Sequence, residues 1–508
     1  MTELVHKKDN TLKDISVPQA FWAALVYAHD ICSPIINVPE ELRHSWKQYV
    51  AGYKRVQPLQ VVDLGLTVYE GKDSLSRVGY LNLQRLTLQG WCTPSQMMWV
   101  PQMNAGTRNL VARVNSIGQL ITSTIRWKND CMCITLPRQK NDQTGERTIE
   151  RHIHCNPHDP LSCFIFWMGI RVLCEPTAGK SHFVFGDDIA LYHRDGRRSS
   201  NQRDQAFGEW MHRTMGGGSG SSKRTVEEQI RLFGGPAKDF GTQSNRKGGL
   251  EELTTSPDGP PPVAALMRSG HSIGGVVEKY ILQMHGGDEF CSRICAGMDM
   301  QAKEFAILPP HFNQEFLDRV DFSDFVWNYN SYDPCFQTCV PFLVAAVAYQ
   351  WSTGWIAANF PGNHSLFSSP CVRRRHMEEL ASHVDVPILH CGDCGMRATG
   401  IPSVVRIAMD LESLTLKQSE MAREFRNVMG NDDGRSLSKT VVGQIEEHLA
   451  TMTERFIDAL VQNTTKMEGS LTSSTSKMEQ RLWNVWVWFV SIPSISTAYI
   501  PPSDRRRR

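Results

Sequence analysis

The sequence has no excess of charge of either sign, and this absence excludes one class of function at the outset. Its 508 residues carry 54 Lys plus Arg against 53 Asp plus Glu, which gives a formal net charge of +1. A uniformly basic protein that coats nucleic acid is therefore excluded. Any DNA binding has to come from a local basic groove.

A dense cysteine framework and a long apolar run are also missing. The 14 Cys are scattered, which favours reduced thiols in an intracellular protein over a small secreted scaffold. Charges interrupt the first ten residues, so we predict no secretory signal. The uncharged window Phe336–Phe360 contains Pro341 and Gly354. We therefore predict a buried helix, a turn and a second short segment there, rather than a membrane span, and expect a soluble protein.

The composition that remains is typical of a globular protein of two to four domains, with 41% apolar and 21% charged residues. Apolar periodicity predicts helices over 14–56, from the loop at 71–75 to about Leu88, and over 163–174. The segments 131–136 and 147–154 read as strands. Because the turn sequence at 141–145 lies between them, we predict an antiparallel hairpin.

The C-terminal part divides into three segments. Residues 316–403 are rich in aromatics, and residues 404–482 are predicted to be helical. In the latter, Ile445, Leu449 and Met452 begin an a/d heptad pattern, which predicts a coiled coil formed within the chain or between copies. The last segment, 483–508, ends in four Arg. This end is either a nuclear-import or nucleic-acid patch, or a solvated terminus.

One cysteine pair, in the sequence His390-Cys391-Gly-Asp-Cys394, suggests zinc. A structural zinc site needs four ligands, which two such pairs usually supply, and the sequence has no second Cys-x-x-Cys. Cys131 and Cys133 are better explained as strand residues. We therefore predict no metal site.

Six polar residues between positions 113 and 280 are ordered in a way that suggests catalysis. Taken alone, each is ordinary: a surface Arg, a solvated turn Lys, a helix-end His or a core Tyr. The ordered set carries the information, and its members are Arg113, Lys140, Gln243, Arg246, His271 and Tyr280.

This order resembles that of the tyrosine recombinases, the integrase-like enzymes that break and rejoin DNA, and is closest to their eukaryotic, Crypton-type mobile-element branch. The family pattern is Arg, a hairpin Lys, His-x-x-Arg, a His or Trp, and a nucleophilic Tyr nine residues later. The branch also carries segments similar to Lys140–Arg147, Asn156-Pro157, Thr242–Gly248, Gly287-Asp288 and Phe305–Phe312. Further similarity reaches His364–Pro370 and Ala398–Pro402, so the resemblance covers roughly residues 68–405.

The resemblance implies an α+β, predominantly α-helical fold with a small antiparallel sheet that carries Lys140. It implies a partial N-terminal helical segment over 1–67, a catalytic domain over 68–315 and a helical accessory region over 316–403. The segments 404–482 and 483–508 would then be the coiled coil and the tail. A full family clamp is a further helical bundle, for which 1–67 is too short.

The resemblance also implies roles for the residues. Arg113 and Arg246 would hold the non-bridging phosphate oxygens, and His271 would hydrogen-bond the phosphate. Tyr280 would attack phosphorus to give a 3′-phosphotyrosyl link, with Lys140 as the general acid for the leaving 5′ oxygen. This chemistry conserves bond energy, so we expect no metal, nucleotide or other cofactor to be needed.

One position departs from the family, because Gln243 stands where the family usually has His. A glutamine positions a group by hydrogen bonding but carries no proton at neutral pH. Three functions stay open: an active recombinase or integrase, a catalytically impaired DNA-binding relic of a mobile element, and a coiled-coil interaction protein. The first implies duplex DNA as partner, self-association on DNA, no membrane and a nuclear location.

Overall fold

A computed structural model gives the architecture. It describes residues 16–32, 38–63, 72–89, 92–136, 149–175, 184–185, 200–218, 223–271, 285–373 and 376–403, and scattered positions between 405 and 423. The chain divides into two units, Met1–Val405 and Arg406–Arg508. The predicted coiled coil lies almost wholly outside the described residues, and the tail lies entirely outside them.

The structure is predominantly helical, as predicted. The first ten helices are α1 Ser16–Cys32, α2 Glu40–Asp63, α3 Arg77–Thr87, α4 Pro94–Asn109, α5 Val114–Gly118, α6 Phe164–Cys174, α7 Ser200–Gly216, α8 Val226–Phe233, α9 Ser244–Thr255 and α10 Pro262–Arg268. The remaining ones are α11 His285–Cys295, α12 Gln314–Leu317, α13 Pro334–Gln337, α14 Val340–Ser352, α15 Trp355–Asn359, α16 Pro370–Arg373 and α17 His376–Ser382. The strands are β1 Ile125–Lys128, β2 Cys131–Thr135, β3 Glu150–His154, β4 His311–Phe312 and β5 Val384–Asp385.

Local sequence explains where helices begin and end. Helix α4 starts with a capping box, in which Thr93 and Gln96 satisfy each other's backbone N–H groups, and has Pro94 in its first turn. Helix α8 uses the same device with Thr225 and ends at Gly234 in the left-handed conformation. The helices predicted over 14–56, up to Leu88 and over 163–174 are confirmed, the first with a break before Glu40.

The small sheet has the order β1-β2-β3 with antiparallel neighbours. The predicted pairing of 131–136 with 147–154 is confirmed, with Cys133 opposite His152, while its turn lies outside the described residues. All of β2 except its last residue is buried, so both faces of this strand are covered.

The main core joins the central segments to residues 316–403. Every residue of α6 is buried, and α6 packs on α14. The two backbones approach so closely at Gly169 that a Cβ there would lie 2.2 Å from the carbonyl oxygen of Leu343. The buried helix, turn and short segment predicted over 336–360 are confirmed as α14, Gly354 and α15. No described helix is long and apolar enough to cross a membrane.

A second, smaller core lies between α9, α10 and α11. Val111, Leu253, Ala265, Cys291 and Phe305 are among its buried members. This core supports the ends of α4 and α10, where several of the predicted site residues lie.

Candidate functional site: a cluster of two arginines and a histidine

Arg113 lies just beyond the end of α4, between two helices. The N–H of Ala112 donates to Thr107 O and that of Val111 to Arg108 O, both at 3.2 Å. These two bonds form a Schellman motif, which ends the helix. Arg113 follows with extended backbone, φ −71° and ψ 145°, and precedes α5. Arg113 itself is therefore not helical, although helices flank it.

Val111 occupies the motif position that glycine usually takes. Its φ is +47°, in the left-handed region, where a β-branched side chain is strained by about 1–3 kcal/mol. Val111 is fully buried in the second core, and this packing holds it there. The strained conformation turns the Val111 carbonyl oxygen toward α9.

Arg246, in the first turn of α9, joins two helix ends. Its Nε donates to Val111 O at 3.2 Å, and an Nη donates to Ser269 O, just past the end of α10, at 2.6 Å. The negative ends of two helix dipoles thus orient the guanidinium. Burial, and then the nearby charge of Arg113, lower the pKa of Arg246 to about 10. The group stays cationic at neutral pH, within electrostatic reach of Arg113.

His271 follows a second Schellman motif, at the end of α10. Gly270 has φ +73°. Its N–H donates to Met267 O at 2.9 Å, and the His271 N–H donates to Leu266 O at 3.0 Å. The alternative interpretation of His271 as a helix-end residue is therefore correct as far as its backbone goes. Its side chain is partly exposed and lies within electrostatic reach of the two arginines.

The protonation of His271 follows from its neighbours. The Ser269 hydroxyl donates to Leu266 O at 2.8 Å, so it accepts from Nδ1–H of His271, 2.5 Å away. The neutral ring then carries its lone pair on Nε2. Partial burial, followed by the charges of Arg246 and Arg113, lowers the pKa of His271. An anion bound beside the arginines would oppose this effect and favour protonation.

Gln243 immediately precedes α9, three residues before Arg246. Its backbone occupies the N-cap position, yet its side chain makes no capping bond. Among the described residues, its buried Oε1 has no hydrogen-bond partner. A buried acceptor left in this state costs about 1–3 kcal/mol. Rotation of the amide would present Nε2 instead, so this position can bind a polar ligand by donating or accepting.

Lys140 and Tyr280 lie outside the described residues, in the segments 137–148 and 272–284. Strand β3, which follows the first segment, is nevertheless hydrogen-bonded to the helix end beside Arg113. Arg151 of β3 donates to Leu110 O, at the end of α4, at 3.1 Å. Burial and the charge of Arg268 lower the pKa of Arg151 to about 9.

A buried network beneath the cluster holds α4, α10, α11 and β3 together. Arg268 donates to Asn109 O at 2.7 Å and to His152 O at 2.8 Å, and it pairs with Asp288 at 2.5 Å. Burial alone would raise the pKa of Asp288, but the charge of Arg268 and the hydrogen bond from His152 lower it. This network fixes the ends of α4 and α10, which directly precede Arg113 and His271.

A second buried pair extends the network into residues 376–403. Arg293 and Asp130 lie 2.6 Å apart with both side chains fully buried. Thr399 donates through its N–H and its hydroxyl to the two carboxylate oxygens of Asp130. Arg293 in turn donates to Thr399 O at 2.6 Å. The segment after β5 is thereby bonded to the sheet and to α11.

Sequence reasoning missed the roles of these supporting residues. The sequence pattern assigns no role to Arg268, and it marks Asp288 only as part of the Gly287-Asp288 pair that resembles the family. No feature of the sequence indicated that Asp130 and Arg293 would meet.

The cluster of Arg113, Arg246 and His271 brings three basic groups from separate segments to one place. Within the described ranges, no carboxylate forms an ion pair with any of the three. Carbonyl dipoles orient Arg246 without neutralising it. The arrangement is therefore suited to binding an anion, such as a phosphate, through charged hydrogen bonds.

Comparison with known proteins adds no identification. No family model matches the chain, and neither does any curated protein.

Proposed function

We propose that this protein binds duplex DNA and transfers DNA strands in the manner of a tyrosine recombinase. The observation that carries the proposal is the convergence of Arg113, Arg246 and His271. They are three of the residues that the ordered motif selected, and they lie far apart in the sequence. They form a cationic cluster without a paired carboxylate among the described residues.

The roles follow from the chemistry of a phosphodiester. Two guanidiniums can hold the non-bridging oxygens and stabilise the additional charge of the transition state. Protonated His271 would donate from Nε2 to the same phosphate, and Gln243 would position it. In this proposal Tyr280 attacks phosphorus, the 5′ oxygen leaves with a proton from Lys140, and a 3′-phosphotyrosyl link remains. A second DNA hydroxyl reverses the reaction.

The proposal extends to the setting in which the protein works. Strand exchange needs two DNA sites, so we propose self-association of the protein on DNA, and a nuclear location.

A nicked suicide duplex tests the chemistry, because its short 5′ product diffuses away and traps a covalent adduct. We expect wild type to form a denaturant-resistant protein–DNA band from a pool of random duplexes. Tyr280→Phe should abolish the band, since phenylalanine has no nucleophilic oxygen. Tyr27 is exposed, so Tyr27→Phe is the matched control. This variant should form as much of the protein–DNA band as wild type. An adduct that persists in Tyr280→Phe would contradict the assignment of the nucleophile.

Gln243 favours a second candidate function, a DNA-binding protein that has lost the chemistry. If the missing imidazole limits proton transfer, Gln243→His should raise the rate of adduct formation, by as much as about 10²-fold. Salt-sensitive DNA binding without an adduct in wild type, together with an adduct in Gln243→His, would identify the impaired relic. An unchanged rate would exclude that role for position 243.

A further inference from the structure

Three metal-binding side chains meet outside the cationic cluster, on the accessory region. His311, Cys391 and Cys394 place their ligand atoms within 4.8 Å of one another. The Sγ of Cys394 lies 3.5 Å from Nε2 of His311. The two cysteines alone were half of a zinc motif. His311 supplies a third ligand, and it comes from β4, far away in the sequence.

The imidazole of His311 is oriented as metal ligands usually are. Its Nδ1 donates to the carbonyl oxygen of Pro309 at 2.8 Å. The lone pair is therefore on Nε2, which faces the two thiols. A second hydrogen bond of this kind fixes both the tautomer and the ring position of metal-bound histidines. His311 is buried, and the pairing of β4 with β5 holds its backbone.

The two cysteines lie on a tight turn that brings their sulfurs to one side. The N–H of Cys391 donates to Met396 O at 2.9 Å, and Gly395 adopts φ +69°, which only glycine takes without strain. The turn thereby brings both sulfurs close to Nε2 of His311.

We propose that His311, Cys391 and Cys394 bind a zinc ion. Zinc takes sulfur at about 2.3 Å and imidazole nitrogen at about 2.0–2.1 Å with tetrahedral angles, which places S and N about 3.6 Å apart. The Cys394–His311 separation of 3.5 Å fits this geometry without rearrangement. Cys394 is exposed, so the fourth position faces solvent and takes water.

A second group of this kind, formed by Cys131, Cys133 and His152, is buried throughout. Cys133 and His152 already hydrogen-bond each other in the interior of the sheet. Within the described part of the chain all three side chains are buried, so a hydrated ion would have to lose its water and pass through packed side chains to reach them. Exposure therefore distinguishes the proposed site from it.

The proposed site has three protein ligands and an open fourth position, unlike a closed structural site, but the ion would still cross-link two segments of the chain. It would join β4 to the turn that follows β5, a segment that also reaches Asp130 through Thr399. Because Asp130 pairs with Arg293 in the buried network, zinc would stabilise the same part of the protein that supports the cationic cluster. Its removal should lower thermal stability without removing any group that contacts DNA.

Metal analysis of the full-length protein tests the proposal. We expect one zinc per chain after purification without chelator. Cobalt substitution should give the thiolate-to-metal absorption and the intense d–d bands of a tetrahedral site. Cys391→Ser and Cys394→Ser should each lose zinc and the cobalt spectrum. Cys394→His, which keeps a ligand, should retain cobalt binding with weaker thiolate absorption, even if the serine variants fold poorly.

The exposed Cys335 supplies the matched control, and Cys335→Ser should keep the metal. Three results would overturn the proposal. The first is wild-type protein that binds neither zinc nor cobalt after reduction and reconstitution. The second is a Cys391–Cys394 disulfide in place of the metal. The third is zinc that survives in the Cys391→Ser/Cys394→Ser double variant and is lost in Cys133→Ser.

Discussion

Two groups of arginines lie close together in this protein and are used in opposite ways. In the buried network, Arg268 and Arg293 each face a carboxylate at 2.5–2.6 Å, and carbonyl oxygens take further N–H groups. In the half-buried cluster, the described partners of Arg246 are two carbonyl oxygens, and the charge of Arg113 repels it. Carboxylates neutralise the charge of the first group within the fold, whereas no described carboxylate neutralises that of the second. On our proposal, this missing counter-charge is what leaves the second group able to bind a phosphate.

The sharpest test of this contrast is to remove one arginine of each kind. Arg268→Met leaves Asp288 buried without its partner, so we expect the free energy of unfolding to fall by about 3–5 kcal/mol. Arg246→Met removes hydrogen bonds to neutral carbonyls and relieves repulsion, so we expect a loss below about 2 kcal/mol. Urea unfolding followed by tryptophan fluorescence measures both. Equal losses would mean that Arg246 is a structural residue.

Acid should weaken the buried region through His154. Burial, followed by the charge of Arg293, lowers the pKa of His154 to about 4, against about 6.5 in the unfolded chain. The unfolded chain therefore binds more protons between these values, and stability falls as pH falls from 6.5 toward 4. We expect His154 to contribute up to about 3 kcal/mol to this loss.

The matched variant for this prediction is His154→Gln, which carries no titrating ring. At neutral pH its free energy of unfolding should be lower than that of wild type, and it should fall less on acidification. Urea unfolding at each pH measures both. Parallel pH profiles for the variant and wild type would contradict the prediction.

Close packing under the site should make Gly248 hard to replace. A Cβ at Gly248 would lie 1.9 Å from Leu75 O, on a backbone that has little room to move. We expect Gly248→Ala to cost about 1–3 kcal/mol of stability. Gly52, inside α2, has nothing within 4 Å of its Cβ position, so Gly52→Ala should stabilise by about 0.4–1 kcal/mol. If both substitutions changed the free energy of unfolding in the same direction, the packing argument would be wrong.

Local patterns predicted much of the fold. The apolar run of α6, the hairpin partners and the helix–turn–helix over 336–360 follow from periodicity and turn residues, which act over short distances. The meeting of Asp130 with Arg293, and of His311 with Cys394, joins residues far apart in sequence. No local pattern contains such contacts, because tertiary packing creates them.

In the candidate site, too, the sequence predicted some features and tertiary packing determined the others. Spacing selected Arg113, Arg246 and His271, and the structure brings them together. The sequence did not reveal that two helix C-termini would hold Arg246, or that Val111 would adopt a left-handed backbone. Those features depend on how α4, α9 and α10 pack around the second core.

The salt dependence of DNA binding tests the central claim, that the cluster holds a DNA phosphate. Arg113→Gln is the variant of choice, because no described ion pair holds Arg113. The exposed Arg373, replaced by Gln, is the control. Each phosphate contact releases counterions, so Arg113→Gln should weaken binding and reduce the slope of log affinity against log salt by about 1. Arg373→Gln should leave the slope unchanged. An unchanged slope in Arg113→Gln, or equal changes in both variants, would contradict the account.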